Sequence, residues 1–293
     1  MSRLHHYHKL MRMDKPVGTW LLAWPTFWAL LVAGAGDPSL RMVAIFAAGV
    51  FLMRSAGCVI NDFADRKIDG KVRRTQQRPL ATGAVTAAEA LILFAGLVLL
   101  AFLLVLTLNT LTIGLSVIAV VLAAFYPFAK RFTYLPQLFL GAAFSMAIPM
   151  AFAAVEGRLP LIAWVLFAAN LLWTVAYDTE YAMADREDDL RAGIKSSAIL
   201  FARFDILAIA VLQLLTLLLL SIAGWMLHAA PYYWIALAIA ATMFAWQLWM
   251  ISGRQADQCL RAFKQNHYVG MAIAIGLALH FWLPDVPWLG SIL

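Results

Sequence analysis

The chain alternates between long apolar stretches and short polar intervals, and each stretch is about as long as a lipid bilayer requires. Roughly twenty apolar residues cross the hydrocarbon core. On that criterion nine spans are predicted, at about 17–34, 40–62, 87–107, 110–128, 134–155, 160–182, 199–224, 230–251 and 267–284. Only the turn TLNT parts the third span from the fourth, and Pro284 and Pro287 soften the end of the ninth. Because a lipid-exposed backbone must satisfy its own hydrogen bonds, the expected fold is all-α. It is a polytopic membrane bundle of about nine transmembrane helices, forming one domain over residues 1–293, with the lipid bilayer as its surroundings.

Composition agrees with this pattern. Of 293 residues, 63% are hydrophobic and 13% charged, with a mean hydropathy of +0.81. Soluble cytosolic, secreted and nucleic-acid-binding classes are excluded on that ground. The net charge of +6 reflects topology, since all 22 basic residues except Arg41, Arg54 and Arg158 fall in the intervals on the N-terminal side. The excess of Lys and Arg on the inner face then puts the N-terminus and the larger intervals in the cytoplasm. The basic lead-in MSRLHHYHKLMRMDKPVG has no small-residue cleavage site and is expected to be retained. Cys58 and Cys259 fall at or inside the membrane and make neither a disulfide framework nor a zinc spacing. Most tryptophans are expected to be interfacial anchors.

Two polar intervals, about 63–86 and 183–198, exceed the others in length and follow the second and sixth spans, as if two halves faced one site. The first begins with Asn61, Asp65 and Asp69, whose four-residue spacing predicts one helical face. Asp62 joins them, and Arg73, Arg74 and Arg78 follow. The second is YDTEYAMADREDD, residues 177–189, in which Asp178, Tyr181, Asp185 and Asp189 form another stripe. Glu180, Glu187 and Asp188 are expected to face elsewhere, into solvent. Carboxylates crowded this way repel unless a cation neutralises them. Hard oxygen donors suit Mg²⁺, which shares its shell with substrate phosphates. Two opposed acidic stripes could hold two such ions astride one diphosphate and improve it as a leaving group. The neighbouring arginines suit phosphate oxygens. Lys195 in GIKS and Lys130 in YPFAKRF, beside Arg131, are further phosphate candidates, set against the plain reading of basic residues at span ends.

Arg54 lies seven residues before Asn61 on the same face, about 10 Å deeper at ~1.5 Å per residue. A cation so far inside the membrane is costly and marks a site. It is read as a clamp for the carboxylate of an anionic acceptor, the alternative being a partner for one of the aspartates. His5, His6 and His8 lack acidic partners and carry no expected metal role.

These residues resemble the UbiA superfamily of intramembrane prenyltransferases. The likeness runs nearly end to end, through MDKPVGTWLLAWPTFWAL, MRSAGCVINDFADRKIDG, RTQQRPL, YPFAKR and YDTEYAMADREDD with GIKSS. MRSAGCVIND and YDTEYAMADREDD favour its 4-hydroxybenzoate branch. The resemblance implies a nine-span bundle in a bacterial inner membrane, Mg²⁺ dependence, a polyprenyl diphosphate donor and 4-hydroxybenzoate as acceptor, with no protein partner. It implies that Asn61, Asp65, Asp69, Asp178, Asp185 and Asp189 bind the metal–diphosphate unit. It places Arg54 near the acceptor, and Arg78 and Lys130 near the phosphates. Tyr177 and Tyr181 could then face the allylic cation, and Asp178 or a phosphate oxygen could take the ring proton. Rival readings are a sibling enzyme acting on dihydroxynaphthoate or homogentisate, and an anion or metal transporter.

Overall fold

Three of the long helices begin where a short polar side chain satisfies the first free backbone N–H groups. Ser39 accepts from Met42 N at 3.3 Å, Asn109 accepts from Thr112 N at 2.9 Å, and Thr86 and Glu89 form a reciprocal capping box. In the computed structural model, which describes residues 3–71 and 75–283, these caps punctuate an all-helical chain. The helices are α1 (Arg3–Leu10), α2 (Val17–Ala33), α3 (Leu40–Asp65), α4 (Ala87–Val105), α5 (Thr110–Ala129) and α6 (Pro136–Ser145). They continue with α7 (Ala147–Glu156), α8 (Leu161–Ala192), α9 (Ser197–Phe201), α10 (Asp205–Met226), α11 (Pro231–Ile251) and α12 (Ala256–Trp282). Arg73, Arg74, Pro284 and Pro287 lie outside the described residues.

Among the described residues, seven helical segments are long and apolar enough to cross a membrane by length and composition, and Val17–Ala33 is a shorter apolar one. With α12, which packs on both α2 and α11, they are compatible with the nine expected spans. The chain is a multi-pass membrane protein. The fifth span is interrupted at Met146, where Pro149 cannot donate to the carbonyl four residues before it. The ninth begins earlier than hydropathy indicates, at Ala256.

Two differences bear on the site. First, α3 ends at Asp65, and Asp69 sits on a separate short 3₁₀ turn, Asp69–Lys71, so the expected helical face breaks after Asp65. Second, residues 183–192 are not a loop: α8 runs unbroken for 32 residues, about 48 Å, and outreaches a hydrocarbon core of about 30 Å. It stops at Gly193, whose φ of 67° lets the chain turn left-handed while Ile194 N donates back to Asp189 O at 2.9 Å. The overhang is tied down by Asp205, fully buried, which pairs with Arg186 of α8 and with Arg254 before α12 at 2.8 Å. The main apolar core lies between α2, α7, α8, α10, α11 and α12, where Trp28 and Trp173 stack at 5.5 Å.

Candidate active site

Helices α2 to α8 and α12 enclose a cavity of about 740 Å³. On α3 it is lined at Ile45, Gly49, Met53, Gly57, Asn61 and Asp65, one residue per turn along about 30 Å of helix. On α5 the lining positions are Ser116, Val120, Ala123, Pro127 and Lys130, and on α8 they are Tyr177, Asp178, Tyr181, Asp185 and Asp189. The three stripes give the cavity a polar end, at the C-terminal ends of α3, α5 and α8, and a long apolar shaft beyond it. Ten of the residues singled out from the sequence line this one space: Arg54, Asn61, Asp65, Asp69, Arg78, Lys130, Asp178, Asp185, Asp189 and Lys195.

The acids at the polar end are not bare. Lys130 Nζ pairs with Asp65 Oδ2, and Arg78 Nη1 with Asp69 Oδ2 at 2.9 Å. Asp65 Oδ1 is buried without any hydrogen-bond partner. Burial pushes the Asp69 carboxyl up from its ordinary range, Arg78 opposes this, and the nearby Asp65 and Asp62 charges add to it. Among the described residues no three acidic, cysteine or histidine groups already converge as a ready-made ligand set. Lys195 Nζ sits 5.3 Å from the Tyr134 ring and donates to Phe132 O at 3.3 Å, while its backbone N–H reaches Lys130 O at 3.2 Å. Arg131 does not line the cavity; it donates to Ala64 O at 2.6 Å and so ties the end of α5 to the end of α3.

Further in, Arg54 donates to Cys58 Sγ, and its Nε is buried without a partner. Its guanidinium lies flat against the first turn of α2 at Gly18, where any side chain would strike it.

Two residues depart from expectation. Asp62, adjacent to Asn61, turns from the cavity and is buried between Arg12 at 2.8 Å and Arg78 at 3.1 Å. Burial works against the Arg12 charge, but Asp62 outweighs it and holds the guanidinium above its ordinary range. Glu180 does face away from the acidic stripe, yet it is not solvated: it is fully buried among Asn266, Gln213 and α8 itself. Glu187 is exposed, and Arg191 lies near both it and Asp188. Sequence reasoning missed Arg12 and Tyr126 as cavity residues. Tyr126 stands one turn before Lys130 on the same face, a spacing that could have found it. Arg12, in the basic lead-in, carries no such signal.

Residues 22–282 match the profile of the UbiA prenyltransferase family. The chain belongs to that family. A 4-hydroxybenzoate octaprenyltransferase of Idiomarina loihiensis is 59% identical over 285 residues, covering 96% of this chain and 100% of that one. Among solved structures, an apo UbiA homologue from Aeropyrum pernix K1 superposes with a TM-score of 0.78 at 26% identity, over 88% of this chain and 97% of that one. A UbiA homologue from Archaeoglobus fulgidus bound to GPP and Mg²⁺ shares the fold, with a TM-score of 0.74 at 16% identity over 93% and 99%. The UbiA bundle thus extends over essentially the whole described chain.

Proposed function

We propose that this UbiA protein transfers a polyprenyl group from polyprenyl diphosphate to the carbon ortho to the hydroxyl of 4-hydroxybenzoate. Diphosphate is released, as a step of ubiquinone biosynthesis. The reaction runs in one domain at a bacterial inner membrane, with the N-terminus and the polar end of the cavity on the cytoplasmic side. One observation carries the reading. Two acidic sets, several cations and a long apolar shaft share a single cavity, which matches a charged diphosphate head joined to an isoprenoid tail. The acceptor is supported by the 59% identical relative, itself named a 4-hydroxybenzoate octaprenyltransferase.

The donor set suits a hard divalent cation: it is wholly oxygen, and Asp65 Oδ1 is a buried carboxylate oxygen that no protein group satisfies. Asn61, Asp65, Asp69, Asp178, Asp185 and Asp189 would hold Mg²⁺, the ion bound with GPP in the Archaeoglobus homologue. Once bound, the metal would neutralise the diphosphate and make it a better leaving group.

The chain's own residues do the rest. Arg78, Lys130 and Lys195 direct cationic donors at the phosphate oxygens. Arg54, with an unused Nε, takes the carboxylate of the acceptor and turns its ring toward the donor. As the C1–oxygen bond of the donor breaks, the faces of Tyr177 and Tyr181 stabilise positive charge on the allyl group. The ring carbon ortho to the hydroxyl forms the new bond to C1, and its proton passes to Asp178 or to a phosphate oxygen. The apolar shaft keeps water from the cation.

Purified protein in detergent, given Mg²⁺, an isoprenyl diphosphate and 4-hydroxybenzoate, is expected to release one diphosphate per prenylated acid. Dihydroxynaphthoate and homogentisate are expected to compete poorly. Absence of a prenylated product would sink the enzyme reading, and preference for another acceptor would move the chain to a sibling activity.

A further inference from the structure

Of the three carboxyls of the second acidic motif that the reaction above leaves unused, Glu180, Glu187 and Asp188, only Glu180 is fully buried. It projects from the side of α8 opposite Asp178, Tyr181 and Asp185, and it does not line the cavity. Its Oε2 accepts from Asn266 Nδ2 at 2.9 Å, and its Oε1 faces Gln213 Nε2 at 3.4 Å, which in turn donates to Gln247 Oε1 at 3.2 Å. Four helices, α8, α10, α11 and α12, thus meet on one polar cluster inside an otherwise apolar bundle. No Lys, Arg or His among the described residues pairs with Glu180. The position therefore uses the shape and hydrogen bonding of the side chain, not a charge pair.

The cluster connects directly to the cavity wall. Asn266 Oδ1 accepts from Trp173 Nε1 at 2.8 Å, which is the only polar bond an indole can make. Trp173 stacks on Trp28 at 5.5 Å and meets the edge of Tyr177 at 5.5 Å. Tyr177 and Tyr181 both pack edge-on against Phe263, at 5.9 and 4.9 Å, and all three face the cavity. The indole is also pinned from behind. Gly270 lets α12 approach so closely that a Cβ there would stand 2.8 Å from both Trp173 and Trp24, and Gly270 O accepts from Trp28 Nε1 at 2.9 Å.

We propose that Glu180 is a positioning residue for prenyl transfer: through Asn266 and Trp173 it fixes the aromatic wall formed by Tyr177, Tyr181 and Phe263. The proposal rests on the donor reading above, in which that wall faces the developing allylic charge. Asn266 Nδ2 has two acceptors, Glu180 and Ala262 O at 3.1 Å. Removing the carboxyl leaves a buried amide hydrogen unpaired, and the amide gains by rotating to recover a partner. Such a rotation withdraws the acceptor from Trp173, and the ring that backs Tyr177 loses its anchor. A glutamine at position 180 keeps Oε1 as acceptor for Asn266, and its Nε2 donates to Gln213 Oε1 once the Gln213 and Gln247 amides turn over, so the cluster is preserved.

The test is steady-state kinetics on the detergent-purified chain with Mg²⁺, an isoprenyl diphosphate and 4-hydroxybenzoate, alongside thermal unfolding. Glu180→Leu is expected to lower kcat roughly 10- to 100-fold, the cost of misplacing groups by about an ångström. The KM of each substrate should stay within about twofold, because no ground-state contact is lost. Glu180→Gln should restore kcat to near the wild-type value. Trp173→Phe, which keeps a ring in the stack but removes the N–H, should lower kcat in the same way, and it carries the test if Glu180→Leu does not fold. Wild-type kcat in Trp173→Phe or in Glu180→Leu, or a Gln variant as poor as the Leu variant, would overturn the proposal. Absence of product from the wild-type chain would instead overturn the donor reading, and this inference with it.

Discussion

Asp62 and Asp65 stand three residues apart on α3, yet their surroundings assign them different tasks. Asp62 is buried between Arg12 and Arg78 and neutralises two cations that would otherwise be stranded at the membrane edge. Asp65 keeps one oxygen unpaired and faces the cavity. Asp62→Ala should therefore destabilise the protein by about 3–5 kcal/mol, the usual cost of orphaning buried charges. Asp65→Ala removes only the pair with Lys130 and should cost less stability than Asp62→Ala, while lowering kcat by roughly 10²- to 10³-fold. Thermal unfolding and turnover measured on both variants separate the two roles; equal losses of stability would contradict the assignment. For Arg54→Ala the expected outcome is a KM for the acceptor raised roughly 10- to 100-fold, from one lost charge-assisted hydrogen bond. The donor KM should be unaffected, and an effect on the donor alone would move Arg54 to the other substrate. At this scale the acids were legible in the sequence, because closely spaced carboxylates beside arginines have few stable explanations. Their directions were legible only where a helix continued. The spacing of three, four and four put Asp178, Tyr181, Asp185 and Asp189 on one face of a helix that runs through all four, but the four-residue spacing gave Asp69 a helical face that ends at Asp65. Glu180 was misjudged as solvated because its partners, Gln213 and Asn266, come from helices far along the chain.

At the scale of elements, apolar length located the membrane helices, since a span has to match the bilayer. It did not show where a helix continues beyond the membrane, because hydropathy falls whether a helix ends or simply enters water. The overhang of α8 is the important case, as it carries Asp185 and Asp189. Its hold on the rest of the fold runs through Asp205, which joins Arg186 of the overhang to Arg254 ahead of α12. Asp205→Ala is expected to speed amide hydrogen exchange over residues 183–192 while leaving 161–175 protected, and to lower kcat. Unchanged exchange in the overhang would show that the clamp is not what orders it. The interruption at Met146 was equally hidden, since an average over the span dilutes a single proline.

At the scale of the molecule, the arrangement of helices around one cavity could not be read from the sequence. Two long polar intervals hinted at a shared site, but which helices close around it depends on packing between residues distant in the chain. The apolar shaft is the consequence that matters for substrate choice. Ser116 lines it fourteen positions before Lys130 on α5, about 21 Å further in. Ser116→Trp should therefore depress kcat/KM for an octaprenyl donor far more than for geranyl diphosphate, in parallel assays with the two donors. Equal losses would mean that the tail does not run along this shaft. The two acidic sets, one from the end of α3 and the turn after it and one from α8, are expected to act as one donor site. The most direct test is calorimetric titration of a non-reactive thio-diphosphate donor analogue into the wild-type chain, Asp65→Ala and Asp185→Ala, with Mg²⁺ present. Mg²⁺-dependent binding is expected in the wild type and is abolished by either substitution; a variant that binds the analogue as tightly as the wild type would show that the two sets do not act together.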